Sequence, residues 1–152
     1  MKKYFIGTLL SILVPVLMSG QTDPLVSNCS KSAGPNTSFL KDFPVKTRPC
    51  PKDVTPTELR YIYPYAMSKN MTYRFTLCNT DNTKAPLLIK IKDSDGKIQL
   101  TNFDVKSGKP YPNPNPYIDF VCQRAGSYTV LFDFKDFQQG SGVGIVSLVK
   151  SK

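Results

Sequence analysis

The clearest structural signal in the chain is the run Ser127-Tyr128-Thr129-Val130-Leu131-Phe132-Asp133-Phe134. Aromatic and branched apolar side chains occupy every second position, beginning at Tyr128. Because successive side chains of a strand point to opposite faces, this alternation predicts a β-strand with one face on a core. The glycines of Ala125-Gly126 before it and Gly140-Ser141-Gly142 after it predict turns at both ends.

The same period of two recurs elsewhere after residue 57. It occurs around residues 59–65, 73–78, 87–92 and 97–100, and we also predict strands at residues 117–122 and 143–149. Residues 143–149 are apolar on both faces, which predicts a central or well-covered strand. No stretch keeps a 3.6-residue period with caps, so we expect almost no helix. About seven or eight short strands predict an all-β antiparallel β-sandwich, jelly-roll or immunoglobulin-like, which disulfides would hold together.

The beginning of the chain has the features of an export signal. Met1-Lys2-Lys3 precede an apolar run from Tyr4 to Met18, and small residues follow at Ser19 and Gly20. This pattern predicts a signal peptide over residues 1–20, cleaved near Gly20. The run is shorter than the roughly 20 apolar residues of a spanning helix, so we expect no membrane span in the mature chain. We therefore expect a secreted or periplasmic protein, and the short lysine-led signal favours a bacterial source.

Residues 21–56 have a different composition from the rest of the mature chain. The segment contains Pro24, Pro35, Pro44, Pro49, Pro51 and Pro56. Because proline fixes φ and lacks a backbone donor, we expect an irregular N-terminal arm packed on the core, with room for one edge strand. Residues 57–152 would form the sandwich domain.

Four cysteines follow the predicted signal: Cys29, Cys50, Cys78 and Cys122. An even number in an exported chain favours two disulfides, for which three pairings are possible. We favour Cys29–Cys50, which brackets the proline-rich segment, together with Cys78–Cys122, which joins two predicted strands. A four-cysteine metal site would compete, but no Cys-x₂-Cys pair occurs and the expected compartment is oxidising. We therefore expect no cofactor.

The amino-acid composition limits the catalytic and metal-binding schemes that are open to this chain. The chain has no histidine, which excludes Ser-His-Asp and Cys-His nucleophilic schemes and histidine-ligated zinc. Glu58 is the only glutamate, so a small hydrolase would depend on aspartates, for which the candidates are Asp93, Asp95, Asp119 and Asp133. Asp93-x-Asp95-Gly96 could also hold Ca²⁺, but a hairpin turn explains it better. We expect a protein that is not an enzyme.

The net charge of +9 comes from scattered lysines and arginines, with no block of five like charges. A basic face could attract an acidic glycan, a lipid headgroup or nucleic acid, but a solvated surface is the simpler interpretation. We expect no nucleic-acid partner.

Tyrosines are the best candidates for binding a ligand, because planar rings stack on sugars and the hydroxyl is a polar tip. Tyr111 and Tyr117 flank the proline-rich loop 106–116, and Tyr63 and Tyr65 alternate along a strand that Pro64 marks as an edge. Alternating strand tyrosines more often pack on neighbours, so Tyr111 and Tyr117 are the stronger pair. The expected ligand is an extracellular glycan or envelope protein. A structural envelope component that assembles through edge strands is an alternative.

Several local features recur in one known family at about the same spacing. They are Tyr73-Arg74-Phe75, Leu87 to Ile91 leading to Asp95-Gly96-Lys97, Leu100-Thr101-Asn102, and Ala125-Gly126-Ser127-Tyr128-Thr129-Val130. Together they resemble the bacterial pre-peptidase C-terminal domain, over less than half the chain. The resemblance implies a small secreted β-sandwich that acts as a non-catalytic accessory or binding module. Gly126-x-Tyr128 also resembles the tyrosine corner of immunoglobulin-like domains, although Val130 stands where a cysteine would follow.

Overall fold

A computed structural model describes residues 23–54, 56–113 and 115–150. The predicted signal peptide, residues 1–20, lies outside the described residues. The elements in chain order are α1 (Pro24–Lys31), β1 (Thr37–Thr47), β2 (Tyr61–Met67), β3 (Thr72–Asn79), β4 (Leu87–Lys92), β5 (Ile98–Thr101), β6 (Tyr117–Val121), β7 (Gly126–Phe134), a 3₁₀ turn (Lys135–Phe137) and β8 (Gly140–Val149). The prediction of an all-β fold with about seven or eight strands is confirmed.

The eight strands form two four-stranded antiparallel sheets. The strand order is β1-β8-β3-β6 in the first sheet and β2-β7-β4-β5 in the second. The chain crosses between the sheets after every strand except β4, which continues into its hairpin partner β5. This order is that of a jelly roll, one of the two sandwich topologies that the sequence left open.

The core lies between the two sheets and is rich in aromatic side chains. Tyr128 and Phe132 of β7 face inward as predicted, and the ring of Phe43 on β1 packs 5.5 Å from that of Phe132. A side chain at Gly144 would lie within 2.5 Å of the Phe132 ring, so only glycine leaves room there. The Tyr128 hydroxyl donates to the Arg124 carbonyl at 2.7 Å, as in a tyrosine corner.

The predicted central strand, residues 143–149, is confirmed, because β8 lies between β1 and β3. Its outward face is covered by α1, a helix that the sequence analysis did not predict. Pro24 is tolerated in the first turn, where its missing N–H costs nothing, and Asp23 caps the helix by accepting from the Leu25 amide at 2.8 Å. Leu25 packs beside Val143 on the outer face of the first sheet.

The proline-rich segment is more regular than expected. Residues 37–47 form an eleven-residue edge strand along β8, for which the prediction left room. Pro44 is tolerated because an edge strand has one side without a neighbouring strand. The segment thus contributes both a strand of the first sheet and the helix that covers it.

The predicted disulfide pairing is wrong. The structure joins Cys29 to Cys78, linking α1 to β3, and leaves the thiols of Cys50 and Cys122 unpaired. The physical reason is the docking of α1, which carries Cys29 across the outer face of the first sheet onto β3.

The two thiols lie at opposite ends of β2. The Cys50 sulfur is 3.3 Å from Arg60, just before β2, whereas the Cys122 carbonyl accepts from the amide of Asn70, just after it. Seven strand residues span roughly 20 Å, so these two cysteines cannot pair within one molecule. Among residues 23–54, 56–113 and 115–150, no helix has the length and apolar character needed to cross a bilayer.

Candidate functional site

The strongest candidate site is a cleft at the edge of the sandwich where β5 and β6 lie. The segment 102–116 leaves β5 in the second sheet, crosses this edge and enters β6 in the first sheet. Beneath it lie two adjoining concavities of about 300 and 360 Å³. Both are lined by Asn102, Tyr111, Asn113, Asn115, Tyr117 and Ile118. We call this combined groove the tyrosine cleft.

The first half of the crossing segment is a tight turn that anchors the cleft. The Phe103 side chain is buried with Leu59, Leu88 and Leu131 on the outer face of the second sheet. The Asp104 carboxylate accepts from the backbone amides of residues 106 and 107 at 2.9 and 2.7 Å. These hydrogen bonds to the charged form lower the pKa of Asp104. The turn therefore holds a defined shape in front of Tyr111.

Backbone hydrogen bonds place both predicted tyrosines in the cleft. The Tyr111 amide donates to the Asn102 carbonyl at 2.9 Å, and Tyr111 as a residue is 52% exposed. Tyr117 begins β6, and its carbonyl accepts from the Asn113 side-chain amide at 3.1 Å. The structure thus brings together the two residues that were the stronger binding candidates.

The Tyr117 ring is supported from the outer face of the first sheet. The Arg74 guanidinium stacks on it, with 3.7 Å between the guanidinium carbon and the ring centroid. Arg74 is held by Asp119 through two hydrogen bonds of 2.6 and 2.7 Å, and by the Ala33 carbonyl at 2.8 Å. The hydrogen bond to Asp119 raises the pKa of Arg74. Because Arg74 is not among the lining residues, it fixes the ring from outside the cleft.

The asparagines of the cleft have different roles. Asn102 donates to the Leu87 carbonyl at 2.9 Å and accepts from the Ile89 amide at 2.8 Å, so it extends the pairing of β5 with β4. Asn113 is engaged with the carbonyl of Tyr117 and the amide of Asn115. The Asn115 side chain makes no hydrogen bond to any described residue, and it is exposed at the cleft. Its amide can therefore both donate to and accept from a ligand.

Tyr63 and Tyr65 lie at the opposite edge of the sandwich, on β2. Both are half-buried against the Phe43 ring, with centroids 5.1 and 5.7 Å apart from it. The Tyr63 hydroxyl donates to the Pro44 carbonyl of β1 at 2.6 Å. Burial raises the pKa of both tyrosines. Tyr63 and Tyr65 therefore pack against Phe43, and they are not part of the tyrosine cleft.

The four candidate aspartates of a hydrolase are spread over separate places. Asp93 accepts from the amides of residues 95 and 97 inside the β4–β5 turn, where Asp95 pairs with Arg124 at 2.8 Å. Asp119 is paired with Arg74 on the first sheet. Asp133 is fully buried on the second sheet and takes two hydrogen bonds of 2.7 Å from the Arg60 side chain. Each has a local partner that accounts for it.

The only glutamate belongs to a charged cluster on the outer face of the second sheet. Glu58 accepts from Lys90 at 2.7 Å and also from Lys92. Burial opposes ionisation of Glu58, but the hydrogen bonds from the two lysines outweigh it and lower the pKa from 4.5 to about 2. Lys90 is itself buried and lies 5.6 Å from the centre of the Phe103 ring. The cluster supports the turn that leads to the tyrosine cleft.

Sequence reasoning missed the support of the site. Arg74 and Asp119 are 45 positions apart, and only the register of β3 against β6 places them opposite each other. Asn115 was missed because one asparagine among prolines has no periodic signal. Within the described part of the chain, no three acidic or cysteine side chains come together as metal ligands would. No model of a known protein family matches the chain, and no curated protein is detectably similar to it.

Proposed function

We propose that this protein is a secreted or periplasmic, non-catalytic binding module that holds a glycan in the tyrosine cleft. The observation that carries the proposal is that two tyrosines line the same groove. Tyr111 is exposed, and the ring of Tyr117 is held in place by Arg74. Aromatic rings that are already positioned lose little entropy on binding, and they offer flat apolar faces to sugar rings.

The location supports the proposal independently. The cleft lies where the chain changes sheets, so a rigid sandwich presents a long connection, which is a common place for binding residues. The Cys29–Cys78 disulfide is typical of proteins that fold outside the cytoplasm. The predicted signal peptide agrees with that compartment.

Two alternatives have less support. Assembly through edge strands would need free backbone groups, but on β1 the carbonyls of Pro44 and Lys46 accept from the hydroxyls of Tyr63 and Tyr61. A small Asp-dependent hydrolase would need paired carboxylates at one site. The aspartates considered above are each engaged with a different partner.

The test is affinity electrophoresis of the mature protein through gels that contain a panel of soluble polysaccharides. We expect retardation by at least one polysaccharide, and Tyr111→Ala should abolish it. Ile62→Ala is the matched control, because it truncates a similarly exposed apolar side chain at the other edge. If no polysaccharide retards the protein, or if both variants are retarded equally, the proposal is wrong, and capture of an envelope protein becomes the better hypothesis.

A further inference from the structure

The charge of the tyrosine cleft differs from that of the chain as a whole. The chain has a net charge of +9, yet among the described residues no lysine or arginine lines the cleft. Asp119 is the one charged residue among the described residues that line it. The lysines and arginines therefore lie elsewhere on the protein, and we call the part of the surface that bears them the basic surface.

Asp119 does not give the cleft a usable negative charge. Both of its carboxylate oxygens accept from Arg74, at 2.6 and 2.7 Å, in the bidentate geometry that is typical of strong arginine–carboxylate pairs. The remaining hydrogen bond of Arg74 goes to the Ala33 carbonyl. The ion pair carries no net charge, so it offers no unpaired charge to neutralise a charged ligand.

The polar groups that remain available are uncharged. Within the described ranges, the hydroxyls of Tyr111 and Tyr117 and the side-chain amide of Asn115 make no hydrogen bond, and all three residues line both concavities. Hydroxyls and amides both donate and accept, as the hydroxyl groups of a neutral sugar require. An acidic sugar would lose water from its carboxylate or sulfate without gaining a cation in return.

We propose that the cleft selects uncharged sugar chains and discriminates against acidic ones, an inference that rests on the proposed function. The two concavities share both tyrosines and three asparagines, so they form one groove with room for more than one sugar ring. The basic surface plays no part in this recognition.

The experiment is isothermal titration of the mature protein with two sets of oligosaccharides, at low and at high salt. One set is neutral, with gluco-, manno- and xylo-oligosaccharides, and the other is acidic, with oligogalacturonates and sulfated heparin fragments. We expect a neutral oligosaccharide to bind with an affinity that changes less than about twofold with salt, since no ionic contact is screened. Tyr111→Ala should weaken that binding about tenfold or more, and Ile62→Ala should not.

Weak binding of acidic fragments that falls with salt and is insensitive to Tyr111→Ala would support the inference, because it separates the basic surface from the cleft. An acidic oligosaccharide whose binding is lost in Tyr111→Ala would overturn the inference while leaving the proposed function standing. If no sugar of either set shows binding that depends on Tyr111, both proposals are wrong.

Discussion

The two long edges of this jelly roll use tyrosine in opposite ways. At the edge formed by β1 and β2, Tyr63 points its ring into the core and its hydroxyl caps a carbonyl of β1. At the edge formed by β5 and β6, Tyr111 is half exposed and Tyr117 is fixed by an arginine beside an open groove. We refer to these as the closed edge and the open edge.

The difference follows from the local sequence. Tyrosines at every second strand position all point to the same face, which at β2 is the core face. The open-edge tyrosines flank a segment that is rich in proline, which lacks a backbone donor for strand pairing. The backbone of Tyr111 is positioned by its hydrogen bond to Asn102, whereas Tyr117 is placed by the start of β6. The same residue type therefore stabilises one edge and leaves the other able to bind.

The largest expected effect concerns the disulfide, which holds α1 and, through Ala33, the Arg74 support of the open edge. It closes a loop with a sequence separation of 49, so replacing Cys29 and Cys78 with serine should cost about 4 kcal/mol of unfolding free energy in the chain-entropy model. Urea denaturation of the mature protein measures this loss. Peptide mapping that finds Cys29 linked to Cys50 would contradict the assignment.

The second prediction compares the edges directly. Tyr63→Ala should destabilise the protein by about 3 kcal/mol, because it removes a ring packed on Phe43 and Phe132. Tyr111→Ala should change stability by less than about 0.5 kcal/mol, because Tyr111 is half exposed and is not part of the buried core. Thermal unfolding of both variants checks the pair. Equal destabilisation would mean that the two edges do not differ as described.

The third prediction concerns how stability depends on pH, and the residue tested lies at neither edge. The pKa of Glu58 is lowered from 4.5 to about 2 in the folded protein. The ionised carboxylate therefore adds to the free energy of unfolding above pH 4.5, and this stabilisation is lost as pH falls towards 2. Allowing for its partial exposure, the loss should be about 2 kcal/mol. Glu58→Gln should flatten this part of the stability profile, measured by urea unfolding at each pH. Asp81→Asn, at an exposed turn carboxylate, is the control and should retain the slope.

The smallest expected effects have opposite signs at the closed edge and on β3, the strand beside the open edge. Tyr63→Phe should cost about 1 kcal/mol, because it removes a hydroxyl that has a partner and leaves the Pro44 carbonyl without one. Thr76, which is paired with Tyr117 across β3 and β6, is buried, and its hydroxyl has no hydrogen-bond partner in the described structure. Thr76→Val should therefore raise stability by up to about 1 kcal/mol. A loss in both variants, measured by chemical denaturation, would refute the contrast.

Much of the fold could be predicted because strand alternation is local information. Residues 127–134 and 143–149 lie where the pattern placed them, and the jelly roll was one of two expected topologies. The helix α1 could not be predicted because it is only eight residues long and begins at a proline, a residue that usually interrupts a helix.

Features that depend on docking could not be predicted. The Cys29–Cys78 pairing follows from where α1 packs, and no spacing rule contains that information. The positions of Tyr111 and Tyr117 beside the proline-rich loop identified them as candidates. Their support by Arg74 and Asp119 needed the strand register, which one sequence does not reveal.

The most direct test of the account is a crystal structure of the mature protein with a neutral oligosaccharide that it binds. We expect sugar rings in the groove of the open edge, in contact with Tyr111 and Tyr117 and within hydrogen-bond distance of Asn115. A sugar bound instead against β1 and β2, or on the basic surface away from the groove, would contradict the assignment of the open edge as the binding site.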